Sequence, residues 1–167
     1  MISAPLTARA DDRPVSFVND VVQVMTKAGC NAGVCHAKAG NGQNGFQLSL
    51  LGFEPREDFE HLVKESRGRR MFSSAPDRSL LLLKASGQLP HGGGVRIPSN
   101  SKSYELLRDW IRQGANFDTE NTPKFVSFAV TPDRGSIQRH AEQQLKVIAH
   151  YSDGSERDVT ELALYES

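Results

Sequence analysis

The apolar residues of this chain change period partway along, and that change sets the expected architecture. Up to Ala115 they recur at helical spacing; from Lys124 onward, in KFVSFAVTP and QQLKVIAHYSDGSERDVT, they alternate with polar residues as strands do. In SFVNDVVQVMTKA (16–28), Phe17, Val21, Val24 and Met25 form one stripe, with Ser16 placed as N-cap and Gly29 as stop. FQLSLLGF (46–53) reads as a short strand or extended segment. EPREDFEHLVKES (54–66) returns to helical period through Phe59, Leu62 and Val63, and PDRSLLLLKAS (76–86) predicts a short helix buried on most sides by its four leucines. GQLPHGGGVRIPSNS is a long loop, kept out of regular structure by its glycines and prolines. SKSYELLRDWIRQGA (101–115) predicts a strong helix, capped by Ser101 and stopped at Gly114, with Leu106, Leu107, Trp110 and Ile111 on its apolar face.

The resulting expectation is a tail or signal remnant over 1–13, a mainly α domain over 14–115, a polar linker over 116–123 and a short all-β segment over 124–167. Asp153-Gly154 marks a hairpin turn in the last of these. That segment offers only about three strands where a sandwich needs about seven, so a second domain cut short is expected. Twenty basic residues balance twenty acidic ones, leaving no net field to attract nucleic acid. The longest apolar run, LLLL at 80–83, falls far below the roughly 20 residues that cross a bilayer.

The chemistry is concentrated in KAGCNAGVCHAKAG (27–40), which holds the chain's only two cysteines, Cys30 and Cys35, with His36 directly after. Two thiols can add to the two vinyl groups of a haem while the adjacent imidazole reaches the iron. The usual spacing has two residues between the thiols. Here there are four, Asn31 to Val34, and the extra length must bulge, for which Ala32 and Gly33 are suited. Two other readings stay open on spacing alone. A Cys30–Cys35 disulfide would close a very short loop and add little stability. A zinc site would need two further ligands, and His61, His91, His140 and His150 show no second paired spacing.

The surroundings of the motif resemble a known family. AGCNAGVCH, GFQLSLLGFEP, SLLLLKASGQLPHGGG and LLRDWIRQGA together resemble the cytochrome c-like domain of large secreted planctomycete proteins, in which a C-x4-CH haem motif recurs. The resemblance covers about residues 14–115. VSFAVTP and EQQLKVIAHYSDGSERDVTELALY are similar to the start of a bacterial immunoglobulin-like domain of group 2. The resemblance implies haem c held by Cys30 and Cys35, with His36 as proximal iron ligand and the terminal helices of the domain packed across one another. It also implies one-electron transfer to a redox partner protein or to a catalytic domain of the same polypeptide, in a periplasmic or extracellular setting. Ala8-Arg9-Ala10 resembles the small-x-small end of a cleaved leader, and an ordinary tail is the alternative.

Related domains carry a distal Met in a Met-Pro-Pro segment, but this chain reads Leu89-Pro90-His91 there. His91, in a glycine-rich loop, is therefore the leading distal ligand and Met71 the second candidate; an open sixth position, as in a haem-based ligand sensor or peroxidase, is the third reading. His61 is expected to be structural or exposed, and Trp110 a core residue rather than a redox relay. Arg67, Arg69 and Arg70 form a basic cluster, read either as a contact for propionates or a partner, or as a solvated loop. The function expected from another class is a binding or adhesion module with a structural disulfide. No nucleophile with base and no carboxylate pair marks the chain as an enzyme.

Overall fold

The computed structural model describes residues 13–165. The stripe predicted over 16–28 forms one continuous rod, a π-turn over Phe17–Val21 followed by α1, Val22–Lys27. Ser16 caps it, its hydroxyl accepting from the Asn19 N–H, and Phe17, Val21, Val24 and Met25 are all buried. Gly29 ends the rod at φ +73°, a left-handed turn that a Cβ would disfavour. The final helix of this part is α4, Lys102–Arg112, capped by Ser101 through the Tyr104 N–H. Leu107, Trp110 and Ile111 are buried, and the Phe17 and Trp110 rings meet at 5.5 Å, so the two rods pack on each other. Trp110 is a core residue with its indole N–H donated to the Asn116 carbonyl, which removes the cost of burying that donor.

Between these rods the expectation of a mainly α domain followed by a short all-β immunoglobulin-like segment is corrected. Helical residues of every kind make up 33% and strands 13%, a mixed structure of short helices and a small sheet. The helix predicted over 54–66 is α2, Pro55–Phe59, running on as a π-turn to Lys64 and broken where Ser66 and Arg67 take φ of 52° and 59°. The segment 76–86 is divided by extended Ser79 into a 3-10 turn and α3, Leu80–Ala85. Of its four leucines only Leu82 is fully buried, because a six-residue helix turns a single face to the core. FQLSLLGF forms no strand. It makes single bridges, Ala37 to Leu48 and Gln43 to Phe46, before Leu51 enters the left-handed region at φ 53°. Left-handed residues at this density interrupt each rod before it lengthens.

The alternating region folds as predicted into strands: β1, Phe125–Thr131, β2, Lys146–Tyr151, and β3, Glu156–Asp158, form one antiparallel sheet in that order. The β2–β3 turn uses Asp153-Gly154, with Gly154 at φ +79° and the Asp153 carboxylate accepting from the Ser155 N–H and hydroxyl. The stretch 116–123, expected as a linker, is instead packed into the first part. Phe117 lies 5.7 Å from the Phe17 ring and 5.2 Å from that of Phe59. The Asp118 carboxylate accepts from the Ser16 hydroxyl and from the Phe17 and Val18 N–H groups, each at 2.9 Å, and so caps the first rod from the far end of the sequence. The sheet is tied to the rest by Lys102–Glu161 at 2.6 Å, by Arg157–Asp20 at 3.8 Å and by Lys27 donating to the Ala163 carbonyl. No helix among the described residues is long and apolar enough to cross a membrane.

Candidate functional site

The end of α1 delivers the chain directly into the cysteine turn. Cys30 donates its N–H to the Met25 carbonyl, the Cys35 N–H reaches Ala32, and the His36 N–H closes the turn on the Cys30 carbonyl at 3.0 Å. The four-residue insert has a strut. Asn31 is fully buried, its side-chain NH2 donating to the Thr26 hydroxyl and its backbone carbonyl accepting from the Leu51 N–H. Gly33 and Val34 form the outer part of the bulge, while the left-handed residue that starts the turn is Gly29. His36 then passes its carbonyl to Leu48 N–H at 2.7 Å, which folds the 41–47 loop back over the motif.

Cys30 and Cys35 are both free thiols, half-buried. Burial, with the neighbouring Cys35, pushes the Cys30 thiol up to about 11. The Arg96 guanidinium sits 3.9 Å from the Cys35 Sγ. Burial also holds the His36 imidazole below its ordinary value; the Phe46 carbonyl opposes this, and the facing His91 and Arg70 add to it.

His91 is brought to the same place. Its loop is pinned to α3 at both ends: the Leu89 N–H donates to Leu83, and the Arg96 and Ile97 N–H groups both donate to the Ala85 carbonyl. Ile97 is 2% exposed and anchors the return. The His36 and His91 rings lie 6.2 Å apart between centroids and only 11° from parallel. Each ring is oriented through Nδ1, His36 against the Phe46 carbonyl at 3.3 Å and His91 against the Gly94 carbonyl at 2.8 Å. That fixes Nε2 as the outward nitrogen, the arrangement found for metal-ligating histidines. Gly93 leaves room for the ring, since a Cβ there would meet His91 Cε1 at 3.1 Å.

The other candidates are placed apart. Met71 packs half-buried against the core, the gap-filling role of a flexible thioether. His61 lies between Glu57 and Glu65, at 3.3 and 3.7 Å. His150 pairs with Glu156. Among the described residues no group of three or more His, Cys, Asp or Glu is placed to hold a metal ion. The basic cluster divides: Arg67 and Arg69 are exposed, whereas Arg70 is 5% exposed and its guanidinium lies over the Phe46 ring. Asn31, Phe46 and Arg96 were not singled out by sequence reasoning. Asn31 lies inside the motif itself, and Phe46 and Arg96 carry no local signal beyond their neighbourhood to glycine-rich loops.

The donor set has the chemistry that haem c requires. Two thiols and an adjacent imidazole stand in one turn, and a second imidazole faces the first. The 6.2 Å between the two ring centroids is of the order spanned by two metal–nitrogen bonds of about 2 Å and two ring radii. Val34, at 85% exposed, together with exposed Leu89 and Val95, adds apolar surface from the same two segments, of the kind an apolar macrocycle covers. The residues fit the group. No family model matches the chain, and neither the curated proteins nor the solved structures yield a match.

Proposed function

We propose that this chain is a c-type cytochrome that carries single electrons through one covalently bound haem. Cys30 and Cys35 would hold it by thioethers, each S–H adding across a vinyl double bond with no oxidant required. His36 would be the proximal ligand and His91 the distal one. The observation that carries the reading is the pair of near-parallel imidazoles at 6.2 Å, each oriented through Nδ1, beside two free thiols. Haem supplies a one-electron couple, and two nitrogen ligands suit it to electron transfer rather than to binding small molecules. The hydrogen bonds of both histidines to backbone carbonyls would hold the two rings in one orientation in either oxidation state. A redox protein or a catalytic domain of the same polypeptide would exchange the electrons, in a periplasmic or extracellular compartment.

The test is production with c-type maturation machinery. The expected result is a pyridine haemochrome spectrum for two thioether links, reduced to one link or none by Cys30→Ser or Cys35→Ser. His91→Ala should keep the covalent haem and lose the low-spin spectrum. Folded, colourless protein from that host overturns the proposal, and an unchanged low-spin spectrum in His91→Ala overturns the distal assignment.

A further inference from the structure

Arg70 is a buried cation whose hydrogen-bond acceptors are all neutral. Its guanidinium donates to the carbonyls of His61 at 2.8 Å, Glu65 at 3.3 Å and Gly45 at 3.5 Å, and to the Ser66 hydroxyl at 3.4 Å. Among the described residues no carboxylate stands within ion-pair distance of it, and Glu65, the carboxylate that acts on it from farther away, is exposed to solvent. Burying a charge without a counter-ion in contact is costly, whereas a neutral donor could cap the same carbonyls. What distinguishes the position is its neighbour. The guanidinium carbon lies 4.5 Å over the Phe46 ring, the same ring packs 4.6 Å from that of His36, and the Phe46 carbonyl is the hydrogen-bond partner of His36 Nδ1. One aromatic residue separates a fixed positive charge from the proposed proximal ligand.

We infer that Arg70 is an electrostatic tuning residue that raises the reduction potential of the iron ligated by His36. The inference rests on the haem reading above. Reduction adds one negative charge at the iron, and a cation about 10 Å away, in a surrounding of effective dielectric about 20, favours the reduced form roughly tenfold. Because the guanidinium is screened from water on most sides, salt in the buffer does little to weaken this. The effect opposes the low potential that two imidazole ligands impose.

The experiment is a spectroelectrochemical titration of the haem-loaded full chain. Arg70→Gln should shift the equilibrium about tenfold toward the oxidised form, about 59 mV lower. Arg70→Lys, which keeps the charge but not the planar fork, should stay within a third of that shift. Ser66→Asp provides the second arm: Ser66 already sits beside the guanidinium, at a backbone conformation that Asp tolerates, so the new carboxylate pairs with Arg70 without removing it. It should also lower the potential several-fold in equilibrium constant, with Ser66→Asn unchanged. A potential unmoved in Arg70→Gln and in Ser66→Asp overturns the inference while leaving the haem reading intact, as does an Arg70→Lys shift equal to that of Arg70→Gln. Wild-type protein without covalent haem overturns both, and does so at the attachment step, before any potential is measured.

Discussion

The thiol of Cys30 offers a test that does not depend on haem. Burial and the adjacent Cys35 move it from the ordinary value of 9.0 to about 11. At pH 8 an ordinary thiol of that kind is about one tenth thiolate and one at about 11 is about one thousandth, so native Cys30 should react with iodoacetamide about a hundredfold more slowly than the unfolded chain. The assay uses unloaded wild-type protein with and without urea, with mass spectrometry resolving alkylation at Cys30 from that at Cys35. The same shift has a thermodynamic side. A folded value above the unfolded one stabilises the fold fully below about pH 9 and loses that contribution as pH rises toward about 11. Two pK units correspond to about 2.7 kcal/mol. Tyr104 and Tyr151 are also raised by burial and act in the same direction, so the informative quantity is the difference between wild type and Cys30→Ala in urea unfolding from pH 8 to 11. Native and unfolded alkylation rates within about fivefold of each other, or identical pH slopes for the two proteins, would refute the reasoning.

Other perturbations follow from the same contacts. Asp118→Ala removes the acceptor for the Ser16 hydroxyl and two N–H groups at the start of the first rod, and should cost about 2–3 kcal/mol by urea unfolding. Trp110→Ala empties a fully enclosed site between the terminal rods and should cost about 3–5 kcal/mol, read as a lowered denaturation midpoint. Gly93→Val places side-chain atoms against the His91 ring, so loaded protein should keep its thioether links yet show a high-spin fraction in its absorption spectrum. Retention of a wholly low-spin spectrum in that variant would argue against His91 as a ligand.

What was legible in the sequence was what neighbouring residues decide among themselves. The Ser16 and Ser101 caps, the Gly29 stop, the buried stripes and the Asp153-Gly154 turn are each settled within a few residues, and all are present. The lost helical content follows from signals that composition hides. Leu51, Ser66 and Arg67 are left-handed without being glycine, held there by their surroundings rather than by preference. The capping of the first rod by Asp118 spans about a hundred residues, so a polar stretch ended by proline read as a linker although Phe117 and Asp118 tie it to the first rod.

The same division runs through the candidate site. Cys30, Cys35 and His36 are contiguous and announce themselves, whereas the placement of His91 opposite them depends on three backbone donations into the end of α3 and on the absence of a side chain at Gly93. The triple glycine that first marked this stretch as a loop therefore has a second use. It lets a short, otherwise exposed segment carry an imidazole in a fixed orientation, because the ring bonds its own loop at the Gly94 carbonyl while Arg96 ties the end of the loop to the Gly93 carbonyl. A ligand held that way is set by loop geometry rather than by core packing. It follows that core mutations such as Trp110→Ala should weaken the fold without changing the spin state, and that mutations at Gly93 should do the reverse.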